Sequence, residues 1–231
     1  MMSLGAHGFP IGRGVVISCQ APEISPLRDP YVMKMMAVAA ERAGAVGIRA
    51  EGARDIAAIL GAVTLPLIGI RKKRYPGSDV YITACRQDVD LVAAAGAKII
   101  ALDATGRTRP FGETFEQVVT HAKDCGLAVM ADLSCYDDAA RAVDVGADAI
   151  GTTLVPVSAD DVRAGGPNLL IIRRLAETYL TVPLIAEGRY AIAQDVVSAL
   201  EFGASTVVIG RAVTDTHALA CDFVAVAASV R

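Results

Sequence analysis

Two residues far apart in the chain, Lys72 and Glu187, carry the sharpest chemical suggestion in the sequence. Each stands just after a short apolar run, Pro66–Ile70 for the lysine and Pro183–Ala186 for the glutamate. An ammonium and a carboxylate brought to one carbon from opposite sides could move a proton from one face to the other, as inversion of a stereocentre requires. Both groups titrate far from neutrality when free, so burial and mutual charge would have to tune them. On spacing alone, a salt bridge fits the pair as well as catalysis does.

Further polar residues stand at the ends of other apolar runs: Gln20, Arg49, the basic stretch Arg71–Arg74, Asp103, Asp132, Thr152 with Thr153, Gly188 with Arg189, and Gly210 with Arg211. Several cations, three carboxylates and glycine gaps suit a small polyhydroxy anion better than an apolar ligand. The two Gly-Arg pairs are where backbone N–H groups and a short helix start could cradle a phosphate; solvated arginines on tight turns are the other reading. Lys73 and Arg74 read as a wet basic loop. None of the three histidines, His7, His121 and His217, stands at the end of an apolar run beside a carboxylate, so no catalytic metal is expected. Cys19 and Cys135 lie near such ends without a paired histidine and read as packed thiols rather than nucleophiles.

The elements that must position these groups are short strands alternating with helices. Strands are expected at Val15–Cys19, Val46–Arg49, Pro66–Ile70, Lys98–Leu102, Ala128–Asp132, Ala149–Thr152, Pro183–Ala186 and Thr206–Ile209. Helical patterns fall at Tyr31–Ala43, Val89–Ala95, Phe115–Cys125, Asp137–Val145, Leu169–Tyr179 and Ile192–Phe202. Strand alternating with helix predicts βαβ units and a parallel sheet, and eight such strands predict a closed (β/α)₈ TIM barrel. Gly44, Gly96, Gly146 and Gly203, each followed by alanine, recur about every two βα units and read as left-handed residues that stop a helix before a strand. Thr64-Leu65-Pro66-Leu67-Ile68-Gly69 is echoed by Thr181-Val182-Pro183-Leu184-Ile185-Ala186 about half a chain later, as two fused half-barrels would show. In such a barrel strands three and seven are diametrically opposite, which would set Lys72 and Glu187 face to face. The expected organisation is a short N-terminal extension over residues 1–13 and one barrel domain over 14–231.

Composition agrees. The chain has 231 residues, 53% of them hydrophobic, with no Trp and few aromatics, which suits many buried strands under Ala-rich helices. A net charge of −3 gives no general attraction to nucleic acid or acidic membranes. The five cysteines form no C-x-x-C pair and point to a reducing compartment. The mean hydropathy of +0.45 is high, but the longest uncharged stretch, Ile56–Ile70, is too short to span a bilayer. Residues 1–14 show no signal-peptide pattern. The expectation is a soluble, cytoplasmic protein, with a homodimer left open.

The ordered motifs go further. Ser18-Cys19-Gln20-Ala21, Gly47-Ile48-Arg49-Ala50, Ile68-Gly69-Ile70-Arg71-Lys72, Val80-Tyr81-Ile82-Thr83, Ala101-Leu102-Asp103-Ala104-Thr105 with Arg107, Arg109 and Pro110, Met130-Ala131-Asp132-Leu133-Ser134, Thr152-Thr153-Leu154 and Ala186-Glu187-Gly188-Arg189 together resemble the N-acetylmannosamine-6-phosphate 2-epimerase family, a ribulose-phosphate-binding type of TIM barrel. The resemblance runs from about Gly14 to the last strand. It implies interconversion of N-acetylmannosamine 6-phosphate and N-acetylglucosamine 6-phosphate in sialic-acid catabolism, without metal or organic cofactor and with the phosphosugar as partner. It assigns the catalytic lysine to Lys72 and the catalytic glutamate to Glu187, the sugar-orienting pair to Arg49 and Asp132, and a substrate-facing glutamine to Gln20. With the residues at the other strand ends, Thr152, Gly188, Arg189, Gly210 and Arg211, these form the candidate substrate site. Two stretches depart from the family's pattern. Val155-Pro156-Val157-Ser158 replaces a Ser-Gly-Tyr-Thr-like segment, and Gly210-Arg211-Ala212-Val213-Thr214 runs on into Asp215 where the family has arginine. The phosphate grip is therefore expected to be rebuilt around Arg211, or the substrate altered. Another phosphosugar isomerase, a lyase using Lys72 as a Schiff base, and a non-catalytic sensor are the competing readings.

Overall fold

The structure, a computed structural model, describes residues 8–156 and 165–229. His7 and the Val157-Ser158 part of the first divergent stretch lie outside the described residues. Eight strands follow one another: β1 (Gly14–Cys19), β2 (Gly47–Glu51), β3 (Leu67–Ile70), β4 (Ile99–Asp103), β5 (Ala128–Asp132), β6 (Ala149–Gly151), β7 (Leu184–Glu187) and β8 (Thr206–Ile209). Every neighbouring pair is parallel, and β1 closes on β8 with Gly14 opposite Thr206 and Val16 opposite Val208, giving the expected (β/α)₈ barrel. Around it run α1 (Pro30–Arg42), α2 (Ala53–Leu60), α3 (Arg86–Ala94), α4 (Phe115–Asp124), α5 (Asp138–Asp144), α6 (Leu169–Thr178), α7 (Ala193–Glu201), the short α8 (Arg211–Thr214) and α9 (Thr216–Ser229).

Local chemistry explains where the helices begin and end. Asp29 caps α1 by accepting from the Tyr31 N–H, with Pro30 at the first helical position. Thr114 and Gln117 form a reciprocal capping box on α4. The four glycines expected to stop helices all have positive φ, from +87° at Gly44 to +104° at Gly203. The uncharged stretch 56–70 divides into the end of α2, a turn at Gly61 and β3.

The apolar residues form two layers. Outward-facing strand residues meet the helices in one continuous core. Inward-facing Val16, Ile68, Ile70, Ile99, Met130, Ile185 and Val208 fill the barrel itself. Phe9 and Ile11 belong to that inner cluster, each only 3% exposed. The described part of the expected 1–13 extension is therefore packed against the barrel interior, because two large apolar side chains find cover there that solvent would deny them.

Gly69 shows how tightly β3 is held. A methyl group added there would approach Val92 Cγ1 to 2.6 Å and Ala97 Cβ to 3.0 Å. Gly69→Ala is expected to destabilise the fold by about 1–3 kcal/mol through overpacking. That would lower Tm by about 2–12 °C for a chain of this size, measurable by calorimetry. An unchanged Tm would show that α3 can retreat from β3 at little cost.

Candidate active site

The carboxyl ends of the strands open into a cavity of about 770 Å³. Its walls include Ser18, Gln20, Lys72, Tyr81, Glu187 and Gly210. A second cleft of about 490 Å³ adjoins it, bounded by Gly188, Arg189, Tyr190 and Asp222, and it shares Glu187, Gly210 and Arg211 with the first. The mouth is thus one acid–base chamber with a side compartment at the ends of β7 and β8.

Lys72 leaves β3 on a small antiparallel turn. Lys72 bridges to Ile82, Lys73 N–H donates to Tyr81 O at 3.0 Å, and Thr83 N–H donates to Arg71 O at 2.7 Å. The Lys72 N–H itself donates to Glu51 Oε1 at 3.2 Å. The side chain stays open to the solvent of the chamber. Even so, the surrounding protein, and then the Arg49 guanidinium, hold its pKa below the ordinary lysine value against the opposing pull of Glu187, Glu51 and Asp132.

Glu187 ends β7, one residue beyond the expected strand. Its backbone is tied to β6 by Thr152, whose hydroxyl donates to Glu187 O at 2.9 Å and accepts from Glu187 N–H at 3.0 Å. Its carboxylate takes Arg49 Nη1–H at 2.6 Å and lies 3.1 Å from the Thr153 hydroxyl. Burial, with Asp132 assisting, pushes its pKa above the ordinary glutamate value, while Arg49 and Thr153 pull the other way. Lysine moved down and glutamate moved up bring the two groups toward a common range.

Arg49 was expected at a strand end, yet β2 runs on to Glu51, so its side chain points into the barrel and is 1% exposed. Two charge-assisted bonds join it to Asp132, Nη2 to Oδ2 at 2.6 Å and Nη1 to Oδ1 at 3.2 Å. Burial alone would lower the guanidinium pKa, but the carboxylates of Asp132 and Glu187 outweigh it and raise it further. Arg49 and Asp132 lie beneath the chamber and reach it through Glu187.

The other expected site residues divide. Gln20 lies on the chamber wall; its amide N–H donates to Ser18 Oγ at 2.6 Å, and its buried Oε1 takes no donor among the described residues. Gly188 (φ +110°) and Gly210 flank the side compartment. Thr152 spends its hydroxyl on the Glu187 backbone. Arg189, at φ +63°, donates to the carbonyls of Gly166, Val155 and Pro156 and so fastens the β6–α6 connection. Arg211 pairs with Asp222 of α9 at 2.5 Å. Lys73 and Arg74 are exposed, each over a tyrosine ring, Tyr75 and Tyr81 respectively. Cys19 is buried, its thiol pushed up to about 12 by desolvation, which removes it as a nucleophile.

Two further contributors stand here: Thr153, read in sequence only as a polar strand-end residue, and Glu51, which the sequence reading did not single out. Thr153 sits between the two carboxylates, donating to Asp132 Oδ1 at 2.6 Å. Glu51 anchors the Lys72 backbone and pairs with Arg71 at 3.5 Å. Glu51 follows Arg49 by two positions, so the period of a strand places both on the same side; that signal was available.

A parallel (β/α)₈ barrel with a lysine, a glutamate and polar clefts at its carboxyl face has the architecture of the barrel enzymes, whose sites open at that face. The model of the family "Putative N-acetylmannosamine-6-phosphate epimerase" matches residues 33–229, and the chain belongs to that family. A relative from Clostridioides difficile bearing the corresponding 2-epimerase name is 40% identical over 91% of this chain and 94% of its own. One from Caldanaerobacter subterraneus is 44% identical over 91% and 90%. The solved N-acetylmannosamine-6-phosphate 2-epimerase of Clostridium perfringens superposes with a TM-score of 0.85 at 33% identity, covering 92% of each chain.

Proposed function

We propose that this chain interconverts N-acetylmannosamine 6-phosphate and N-acetylglucosamine 6-phosphate by removing and returning the proton at C2. The carrying observation is the Lys72–Glu187 pair: two groups on the third and seventh strands of an eight-stranded barrel, both at one chamber, with pKa values displaced toward each other. In the open-chain sugar the C1 aldehyde acidifies the C2–H. Neutral Lys72 takes that proton, and the C–H electron pair forms the C1–C2 double bond as the carbonyl π pair moves to O1. Protonated Glu187 then delivers its proton to C2 from the other face, the carbonyl reforms, and C2 is inverted. The reverse reaction exchanges the two roles. Arg49, Asp132 and Thr153 set the position and charge of Glu187, Gln20 offers its unpartnered oxygen to a sugar hydroxyl, and the 6-phosphate belongs in the compartment between Gly188 and Gly210.

Turnover in deuterated water tests this directly. Product is expected to carry deuterium at C2, read by NMR. Epimer formed without C2 exchange would overturn proton transfer to solvent-exchanging groups, and absence of epimer would overturn the substrate assignment.

The phosphate compartment gives a second test. Arg211 is held by Asp222, so a bound phosphate must compete for it. Arg211→Ala is expected to raise KM for the phosphorylated sugar about ten-fold with little change in kcat, while Asp222→Asn lowers KM. Equal KM values in both variants would place the grip on the backbone of Gly188 and Gly210 alone.

A further inference from the structure

We infer that the outer face of α3 and α4 carries a divalent metal site of the zinc type, formed by Asp90, His121 and Cys125. His121 and Cys125 lie four residues apart at the end of α4, one helical turn that the Cys125 N–H closes onto His121 O at 3.0 Å. Asp90 faces them from α3. His121 Nε2 is 2.7 Å from Asp90 Oδ1 and 3.9 Å from Cys125 Sγ, and the three ligand atoms lie within 4.8 Å of one another. A tetrahedral ion with bonds of about 2.0–2.3 Å separates its ligand atoms by roughly 3.3–3.6 Å. The histidine–thiol gap must close by only a few tenths of an ångström and the histidine–carboxylate gap must open by about half of one. Both adjustments fall within side-chain rotation, because the carboxylate and the thiol are exposed.

The donor set selects the ion. Imidazole, thiolate and carboxylate together suit a borderline-soft cation that accepts four ligands, with water in the fourth place, and not a hard ion that wants oxygen alone. A thiolate and a carboxylate balance the charge of a divalent ion, and binding would expel the thiol proton. Without the ion, the same groups make an exposed His–Asp pair, which contributes little to stability. With it, α3 and α4 are cross-linked on the outside of the barrel. The site stands at the carboxyl end of α4, where the chain turns back into the start of β5, and so on the face away from Lys72 and Glu187. It is independent of the reaction proposed above.

Cobalt titration of the metal-free full chain, kept reduced with a phosphine, provides the test. One equivalent of Co²⁺ is expected to produce a thiolate-to-cobalt charge-transfer band together with the strong visible bands of a four-coordinate ion, and Zn²⁺ should bleach both. C125S and H121A should abolish the charge-transfer band while circular dichroism stays unchanged. C221S, which removes the other cysteine with a histidine four residues before it (His217), should leave it intact. Zn²⁺ should raise the wild-type Tm by several degrees and leave that of C125S where it was. A spectrum without the thiolate band, or a band that survives C125S, would overturn the site.

Discussion

Replacing Lys72 by alanine is expected to lower kcat for C2 epimerisation by about 10²–10⁴, the usual contribution of a positioned acid or base, and Glu187→Ala should do the same. Neither change should unfold the barrel, since neither side chain belongs to either apolar layer. The pH profile of kcat/KM supplies a second reading. Desolvation by the surrounding chamber walls and the Arg49 charge lower the Lys72 pKa, and burial with Asp132 raises that of Glu187. The bell should therefore be narrower than free lysine and glutamate would give: its acid limb lies above the ordinary glutamate value and its alkaline limb below the ordinary lysine value. Asp132→Asn removes a like charge from beside Glu187 and should move the acid limb down. Arg49→Met removes a cation that depresses Lys72 and should move the alkaline limb up. Near-normal kcat in Lys72→Ala with a lower Tm would instead make the lysine a structural ion-pair partner.

Arg49→Met should cost about 3–5 kcal/mol of stability, because it leaves two carboxylates without their cation; Asp132→Ala should cost less, because Arg49 keeps its 2.6 Å pair with Glu187. Arg49 is 1% exposed and Asp132 fully buried, so little water can replace the missing ion. The double variant Arg49→Met with Asp132→Ala should be clearly less destabilised than the sum of the single variants, the sign of an interacting pair. Denaturant titration with slopes compared across the four proteins measures this. Additive losses would mean that the two residues stabilise the barrel separately.

Much of the architecture was legible because it rests on periodic or local signals. The strands fell within one or two residues of their expected ends, and Gly44, Gly96, Gly146 and Gly203 announced helix ends through a requirement that glycine meets best. Lys72 and Glu187 were legible because strand count alone makes strands three and seven opposite. What escaped depended on partners from distant segments. Arg49 became a buried ion-pair residue only when β2, β5 and β7 converged on it. Arg189 and Arg211 looked alike in sequence, each an arginine after glycine at a strand end. One is spent on the carbonyls of a loop and the other on Asp222 of α9, and no local pattern separates those fates. His121 read as a lone helical histidine because Asp90 lies on the preceding helix.

The seam between β1 and β8 also decides when the molecule can exist as such. Arg13 donates to the Leu200 and Ala204 carbonyls, the Thr206 hydroxyl donates to Gly12 O, and that of Thr214 donates to Ser18 O. Each of these bonds joins residues nearly two hundred positions apart, so none can form until the ribosome has released almost the whole chain. Until then β1 has β2 on one side and a bare edge on the other, with Phe9 and Ile11 waiting for a floor that has not been built. A barrel cut short of β8 would leave that edge of β1 unpaired, so closure rests on the last strand.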